Sequence, residues 1–271
     1  MNLRDHLPLV QPPESVWQGI EAALNQGRAP KARAHTWWFR ALAAAGVIVI
    51  AAGAAWWFGF RRAGWIETGA STGTTLQIAD IGSVNVGPNT RLRILSNRPD
   101  QHRLSLAHGF IHAKISAPPR IFSVDTKSGT AVDLGCEYAM EMDEDGHGDL
   151  HVLAGWVEFE WKGRESLVPA GALCRIRPVR GPDPPYFEDA SPEFGRAVQK
   201  EDLDSMIREA RVRDTLTLWH LLPRVPAGDR ARVYDRIAAL TPLPAGISKE
   251  RVLALDPNAL NQLKEELAWK W

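Results

Sequence analysis

The sequence predicts a mainly β protein in which an antiparallel β domain at residues 65–180 lies between a transmembrane helix and a small α-helical region. Three observations support this prediction. An uncharged apolar run at residues 41–60 is long enough to cross a bilayer. Short runs of alternating polarity then follow one another between glycine, proline and asparagine turns. After a proline-rich break, the hydrophobic period becomes helical over residues 187–271.

Residues 1–40 are predicted to form a short cytoplasmic segment with one amphipathic helix. Ser15 and Gln18 have the spacing of a capping box, and Pro30 lies in the linker that follows. Apolar residues recur at helical spacing: Val16, Ile20, Ala23 and Leu24. A helix this short is marginal alone. The sequence leaves open whether it binds a partner, lies on the membrane or is a plain linker.

The run at residues 41–60 is predicted to be a single transmembrane helix. About twenty residues at ~1.5 Å rise match a hydrocarbon core of about 30 Å. Tryptophan prefers the membrane–water interface, so we expect Trp37, Trp38, Trp56 and Trp57 to lie at the two membrane surfaces. A helix buried in a soluble core is rarely this long. A cleaved signal peptide, with a small-residue site at 52–54, is the alternative, but it fits poorly with the long preceding segment.

The charges that flank the run predict its orientation. The cations before it outnumber those after it: Arg28, Lys31, Arg33 and Arg40 against Arg61 and Arg62. Positive flanks stay in the cytoplasm. We therefore expect a single-pass protein of the bacterial inner (plasma) membrane, with the N-terminus cytoplasmic and the C-terminal domains periplasmic. The opposite topology is the alternative.

The composition of the chain argues against several classes of function. Lys+Arg and Asp+Glu each number 32, so the formal net charge is zero and a nucleic-acid partner is not expected. The sequence lacks zinc-finger spacing, a phosphate-binding glycine loop and the common hydrolase motifs. We therefore predict a protein that is not an enzyme, with no catalytic residues, cofactor or metal.

Residues 65–180 contain a series of short alternating runs that predict strands. These runs lie at residues 76–78, 84–86, 92–94, 104–106, 110–115, 122–124, 131–134, 138–142, 150–152, 156–159 and 173–176. Many short strands between tight turns indicate an antiparallel sandwich or barrel.

Residues 181–185, which read Gly-Pro-Asp-Pro-Pro, are predicted to be a stiff linker. Beyond them, Ser191 and Pro192 have the order of an N-cap followed by the first helical residue. Helical spacing then predicts a small bundle or hairpin pair from segments at 203–212, 214–222, 229–240, 248–255 and 256–269. The last segment opens with Asp256 and Pro257, which is a second start signal of the same kind.

The two cysteines, Cys136 and Cys174, both fall on the outer side of the predicted membrane. An even number in an oxidising compartment permits one disulfide bond. The alternative is two small buried hydrophobic residues that never meet.

Several possible sites have simpler interpretations. The pairs His108–His112 and His147–His151 read as strand and turn residues without a third metal ligand. Glu158 and Glu160 alternate with apolar residues, as a half-exposed strand requires. Trp156 and Trp161 have a spacing that places them on opposite faces of a regular strand, which disfavours a sugar-binding platform.

The order of motifs along the β region resembles that of the FecR domain of bacterial envelope regulators. The segments that carry the resemblance are an Asp-x-Gly-Ser turn, a strand ending at a glycine, a Pro-x-x-Phe-x-Val strand, a Val-x-Leu-Gly strand end, a Gly-x-Val strand and an Ala-Gly turn. They lie at residues 80–84, 103–109, 119–124, 132–135, 155–157 and 169–171. Two departures stand out: Ile81 splits the usual Asp-Gly pair, and Cys136 stands where the family often has threonine.

The resemblance implies a jelly-roll-like β domain outside the inner membrane. In well-known members this domain receives a signal from an outer-membrane transporter and passes it to a cytoplasmic segment that controls an extracytoplasmic-function sigma factor. The implied partners are therefore the membrane and either such a sigma factor or an envelope or outer-membrane protein. Because residues 1–40 are short for a sigma-factor clamp, an envelope scaffold or a ligand- or peptidoglycan-binding module without transcriptional output is the alternative.

Overall fold

The computed structural model describes residues 64–244 and 246–271. The predicted segment at 1–40, the predicted span at 41–60 and the interfacial Trp37, Trp38, Trp56 and Trp57 lie outside the described residues. Among the helices of the described part, none has the length and apolar character needed to cross a membrane.

Strands occupy most of the described chain up to residue 187. Their bounds are β1 Ile66–Glu67, β2 Thr74–Ile78, β3 Gly82–Val86, β4 Arg91–Arg98, β5 Gln101–Ile115, β6 Phe122–Thr126, β7 Gly129–Asp133, β8 Glu137–Met142, β9 Gly148–Ala154, β10 Trp156–Trp161, β11 Arg164–Pro169, β12 Ala172–Arg177, β13 Gly181–Pro182 and β14 Tyr186–Phe187. The prediction of a mainly β region is confirmed. The strands β1, β11, β13 and β14 were not predicted.

The long strand β5 belongs to two sheets. Its first half lies in the order β1-β4-β5-β6-β7-β10-β11, and its second half lies in the order β2-β3-β5-β8-β9-β12. Strands β13 and β14 both pair with β12. All of these pairings are antiparallel except β5–β6, where His102 lies opposite Phe122 in a parallel register. The predicted antiparallel pairing is therefore observed in all of these pairs except this one, because the chain returns to the start of β5 before β6 begins.

The alternating pattern of the strands buries one face of each sheet in a common core. Large, fully buried side chains include Leu92, Leu106, Ile111, Tyr138, Met140 and Phe159. The opposite faces carry charged and polar residues, as expected for antiparallel sheets with one face in water.

Six helices follow the strands in the described part of the chain. Their bounds are α1 Pro192–Lys200, α2 Leu203–Glu209, α3 Thr215–Leu221, α4 Ala227–Leu240, α5 Lys249–Leu253 and α6 Pro257–Ala268. The predicted start signals are confirmed at both prolines. Ser191 Oγ accepts the Phe194 N–H at 3.1 Å, and Asp256 Oδ1 accepts the Ala259 N–H at 2.9 Å.

The helices pack directly onto the strands. The segment predicted to be a stiff linker is instead part of the packed structure: Gly181 and Pro182 are buried in β13, and Thr217 Oγ1 donates to the Pro185 carbonyl at 2.7 Å. Trp271 lies 6.2 Å from Trp156 and 6.1 Å from Trp219 between ring centroids. The described strands and helices thus form one compact unit.

Candidate functional site

Two of the predicted motif segments meet at one surface groove, which we call the motif groove. It lies between the β2–β3 turn, the end of β5 and the start of β8, and its volume is about 480 Å³. The residues that line it include Gln77, Asp80, Ser83, Lys114, Gly135, Cys136 and Glu137. The structure therefore brings the Asp-x-Gly-Ser turn and the Val-x-Leu-Gly strand end together.

Gly82 allows the β2–β3 turn to approach β5 closely. A Cβ atom at this position would lie 2.1 Å from the Lys114 carbonyl oxygen, and the φ angle of Gly82 is +149°. Beside it, the Ser116 N–H donates to the Ile81 carbonyl at 2.7 Å. The glycine of the first motif is thus required by backbone contact, since any larger residue would push the turn away from β5.

Gly155 likewise allows a close approach of two backbone segments, on the other side of the motif groove. Its φ angle is +72°, and a Cβ atom would lie 2.2 Å from the Gly135 carbonyl oxygen and 3.1 Å from Cys136. The Gly-x-Val and Val-x-Leu-Gly motifs are therefore two halves of one backbone contact.

Asp133 holds the turn that ends the Val-x-Leu-Gly motif. Its Oδ1 accepts the Gly135 N–H at 2.6 Å, and its Oδ2 accepts the Cys136 thiol at 2.7 Å. Burial raises the pKa of Asp133, although both hydrogen bonds oppose that change. Burial raises the pKa of the Cys136 thiol well above its usual value, and the Asp133 carboxylate adds to the effect. Cys136 therefore remains a protonated donor at the position where the family often has a threonine hydroxyl, rather than a reactive thiolate.

The rim of the motif groove carries a small charge cluster. Glu137 accepts from Lys114 Nζ at 3.3 Å and lies 2.9 Å from His112 Nε2. The hydrogen bond from Lys114 lowers the pKa of Glu137, and His112 contributes in the same direction. The rim is thus polar and charge-paired.

The predicted disulfide bond between Cys136 and Cys174 is not present, and both cysteines are free and buried. Cys136 immediately precedes β8, Cys174 lies in β12, and β9 separates these strands. Two strand spacings of about 4.8 Å exceed the Cα separation of ~7 Å that a disulfide can bridge. The Cys174 thiol instead donates to the Asp183 carbonyl at 3.2 Å.

We expect the full-length protein, denatured without reductant, to show two reactive thiols per chain, because neither cysteine can reach the other in the fold. Titration with a thiol reagent and electrophoresis with and without reductant measure this. Before denaturation both thiols should react slowly, since both are buried. A denatured sample that shows no free thiol until it is reduced would contradict the structure.

The other candidate residues from the sequence lie apart from the motif groove or have structural contacts. Each histidine of the two pairs lies beside a different carboxylate: His108 by Glu144, His112 by Glu137, His147 by Asp143 and His151 by Glu188. Within residues 64–244 and 246–271 there is no group of three or more possible metal ligands. Glu158 and Glu160 both pair with Arg120.

The two tryptophans of β10 are held by packing. A Cβ atom on Gly181 would lie 2.5 Å from Trp161 Cδ1, and Trp161 Nε1 donates to the Val179 carbonyl at 3.2 Å. Trp156 contacts Trp271. Trp161 thus packs against the proline-rich segment, and Trp156 packs against Trp271 at the end of the helical region.

A contact that the sequence analysis missed lies at the free side of β11. The Leu167 N–H donates to His220 Nε2 at 3.0 Å, while His220 Nδ1 lies 2.8 Å from the Leu216 carbonyl. Arg224 donates to the Glu165 carbonyl at 2.6 Å. These two side chains, which we call the β11 cap, satisfy backbone groups that would otherwise be unpaired. The sequence signal was weak because β11 itself was not predicted.

Burial sets the protonation of the β11 cap. Desolvation lowers the pKa of His220 to about 3, and the charge of Arg224 acts in the same direction. His220 is therefore neutral near pH 7, with Nδ1–H as donor and Nε2 as acceptor, which is the tautomer that the two hydrogen bonds require. Desolvation lowers the pKa of Arg224 to about 10, so its guanidinium remains charged near pH 7.

Comparison with known proteins identifies the β region. The family model described as FecR protein matches residues 65–158, which covers β1 to the first part of β10. Comparison with curated proteins gave no match.

Two crystal structures of a candidate anti-sigma factor from Parabacteroides distasonis ATCC 8503 resemble the chain. One is 17% identical with a TM-score of 0.41, and the alignment covers 46% of this chain and 60% of that one. The other is 16% identical with a TM-score of 0.41, and the alignment covers 50% and 64%. The chain thus spans less than two thirds of either structure. The family match confirms the resemblance predicted from the order of the motifs: residues 65–158 are similar to the FecR family.

Proposed function

We propose that this protein is a single-pass regulator of the bacterial inner membrane whose FecR-like domain receives an envelope signal. The signal would pass through the span at 41–60 to the cytoplasmic segment at 1–40, with an extracytoplasmic-function sigma factor as the output. The observation that carries the proposal is the family match at residues 65–158, which begins five residues after an uncharged apolar run.

The connectivity of the described domain supports a relay. Strand β1 begins at Ile66, close to the predicted span, and pairs with β4. Strand β4 pairs in turn with β5, the strand shared by both sheets. A displacement of either sheet would therefore act on the segment next to the membrane through a continuous hydrogen-bonded path, which is a physical connection between an outer contact and the span.

The regulatory form can be tested through the cytoplasmic segment. We expect the full-length protein to co-purify with a sigma factor from its host, and the double variant Val16→Asp/Ile20→Asp to lose this partner because it places charge on the predicted apolar face. Asn25→Asp, which adds a charge on the opposite face, is the matched control and should retain it. Deletion of residues 2–36 should change transcription of the sigma factor's target genes. Unchanged co-purification and transcription in the aspartate variant and the deletion would contradict a sigma-factor output.

A scaffold or ligand-binding function is the second candidate. The C-terminal helices, which lie beyond the family match, favour it. Binding of the detergent-solubilised full-length protein to purified peptidoglycan sacculi would support it. Normal target transcription after deletion of residues 2–36, together with such binding, would replace the regulatory form.

A further inference from the structure

We propose that the corner formed by Trp65, Arg91 and Arg93 binds the headgroups of anionic phospholipids. We call these three residues the juxtamembrane corner. The inference rests on the proposed membrane span, and it adds a lipid-binding surface that orients the FecR-like domain on the bilayer.

The first argument is the geometry of the three side chains. Cζ of Arg91 lies 4.5 Å from the Trp65 ring centroid, and Cζ of Arg93 lies 4.8 Å from it. Trp65 is 39% exposed. Indole rings favour the headgroup layer of a membrane. Guanidinium groups that stack on an aromatic ring keep their N–H groups for phosphate oxygens, so the corner combines both elements of headgroup recognition.

The second argument is the charge balance. Arg91 Nε lies 3.1 Å from Glu67 Oε1. No ion pair of the described part of the chain involves Arg93. Its Nε is buried, so its terminal Nη groups are the ones that can meet a phosphate. Arg61 and Arg62 precede the corner in the sequence and add two further cations. The local charge is therefore positive, and it is complementary to an anionic membrane surface.

The third argument is the length of the tether. Four residues, 61–64, lie between position 60, the end of the predicted span, and Trp65, which makes five Cα–Cα steps. Even a fully extended chain of that length spans at most about 18 Å. The headgroup layer accounts for about 5–8 Å of this distance, and charges act over about 8 Å at physiological salt. Full extension would leave the corner about 10–13 Å beyond the headgroup layer, so a tether that is less than fully extended brings it within electrostatic reach of the lipid phosphates.

The test uses the full-length protein in nanodiscs of phosphatidylcholine alone or with about one third phosphatidylglycerol. Hydrogen–deuterium exchange is followed by mass spectrometry in peptides that cover residues 65–68 and 91–93. Each arginine near an anionic surface changes binding by about fivefold. We therefore expect exchange in β1 to slow about fivefold or more when phosphatidylglycerol is present, and high salt to remove the difference.

Charge variants assign the effect to the corner. The double variant Arg91→Gln/Arg93→Gln should abolish the lipid dependence. The double variant Arg91→Lys/Arg93→Lys keeps both charges and should retain it. That result would exclude a loss of folding as the cause of the change in the glutamine variant. Arg208→Gln, an exposed arginine of α2, is the matched control and should behave as wild type. Equal exchange in both lipids, or a lipid dependence that persists in the glutamine variant, would overturn the inference.

The same preparation separates this inference from the proposed function. Release of the full-length protein from native membranes by alkaline carbonate would overturn the span and the regulator together. Retention in the membrane with no lipid dependence would overturn the juxtamembrane corner alone.

Discussion

Replacing Gly155 with alanine should lower the unfolding temperature of the protein by about 6–12 °C. This shift corresponds to a loss of about 3 kcal/mol for a domain of roughly two hundred residues. Two costs add at this position. A residue with a side chain pays about 1 kcal/mol at a positive φ angle, and the φ angle of Gly155 is +72°. The added methyl group would also meet the Gly135 carbonyl oxygen at 2.2 Å, and such overpacking costs about 1–3 kcal/mol.

Gly163→Ala is the matched control for this prediction. The φ angle of Gly163 is +79°, but no atom lies within 4 Å of the position that a Cβ atom would take. This variant therefore pays only the backbone cost and should melt about 2–4 °C below wild type. Thermal unfolding of both full-length variants in detergent, followed by circular dichroism, measures the difference. Equal melting temperatures for the two variants would show that the contact between Gly155 and Gly135 is not tight.

Acidification should weaken the fold through His220, and His220→Leu should remove that part of the pH dependence. The pKa of His220 is lowered to about 3 by burial, against an ordinary value of 6.5. Above pH 6.5 the neutral imidazole is present in both the folded and unfolded states, and its hydrogen bonds contribute fully. As the pH falls from 6.5 towards 3, the unfolded chain takes up a proton that the folded chain excludes. The free energy of unfolding then falls by up to about 1.4 kcal/mol per pH unit.

The leucine variant separates the pH effect from the loss of the contact. Near pH 7.5 it should be less stable by about 1–3 kcal/mol, because the Leu167 N–H loses its acceptor in a buried site. Between pH 6.5 and 4 its stability should depend less steeply on pH than that of wild type. His147→Gln is the control, since His147 is largely exposed, and it should keep the wild-type slope. Urea denaturation at several pH values measures these slopes, and identical slopes for wild type and His220→Leu would contradict the assignment.

Local signals along the chain predicted much of the fold. Alternation placed the strands that bury Val84, Ile111 and Val157, and the Ser191 and Asp256 caps marked the starts of two helices. These features depend on neighbours within a few residues, which a sequence displays directly. The order of the motif glycines likewise predicted the resemblance to the family. Each of these glycines stands where the backbone has a positive φ angle or leaves no room for a side chain.

Features that depend on long-range contacts could not be predicted. The parallel pairing of β5 with β6 follows from how the chain returns across the sheet, and the strand β11 depends on a cap supplied by His220, more than fifty residues later. The disulfide prediction was wrong for the same reason, because cysteine spacing carries no information on which strand lies between Cys136 and Cys174. The motif groove was likewise unpredicted, since its motif segments are distant in sequence.

The β11 cap has a consequence for how this protein behaves at high concentration. A bare outer strand offers its amide groups to the same strand of a neighbouring molecule, and repetition of that contact builds open-ended fibrils. Pro169 has no amide hydrogen to offer, and His220 and Arg224 occupy backbone groups of the two other outward-facing residues. This strand therefore offers a neighbouring molecule fewer free backbone groups than a bare outer strand would.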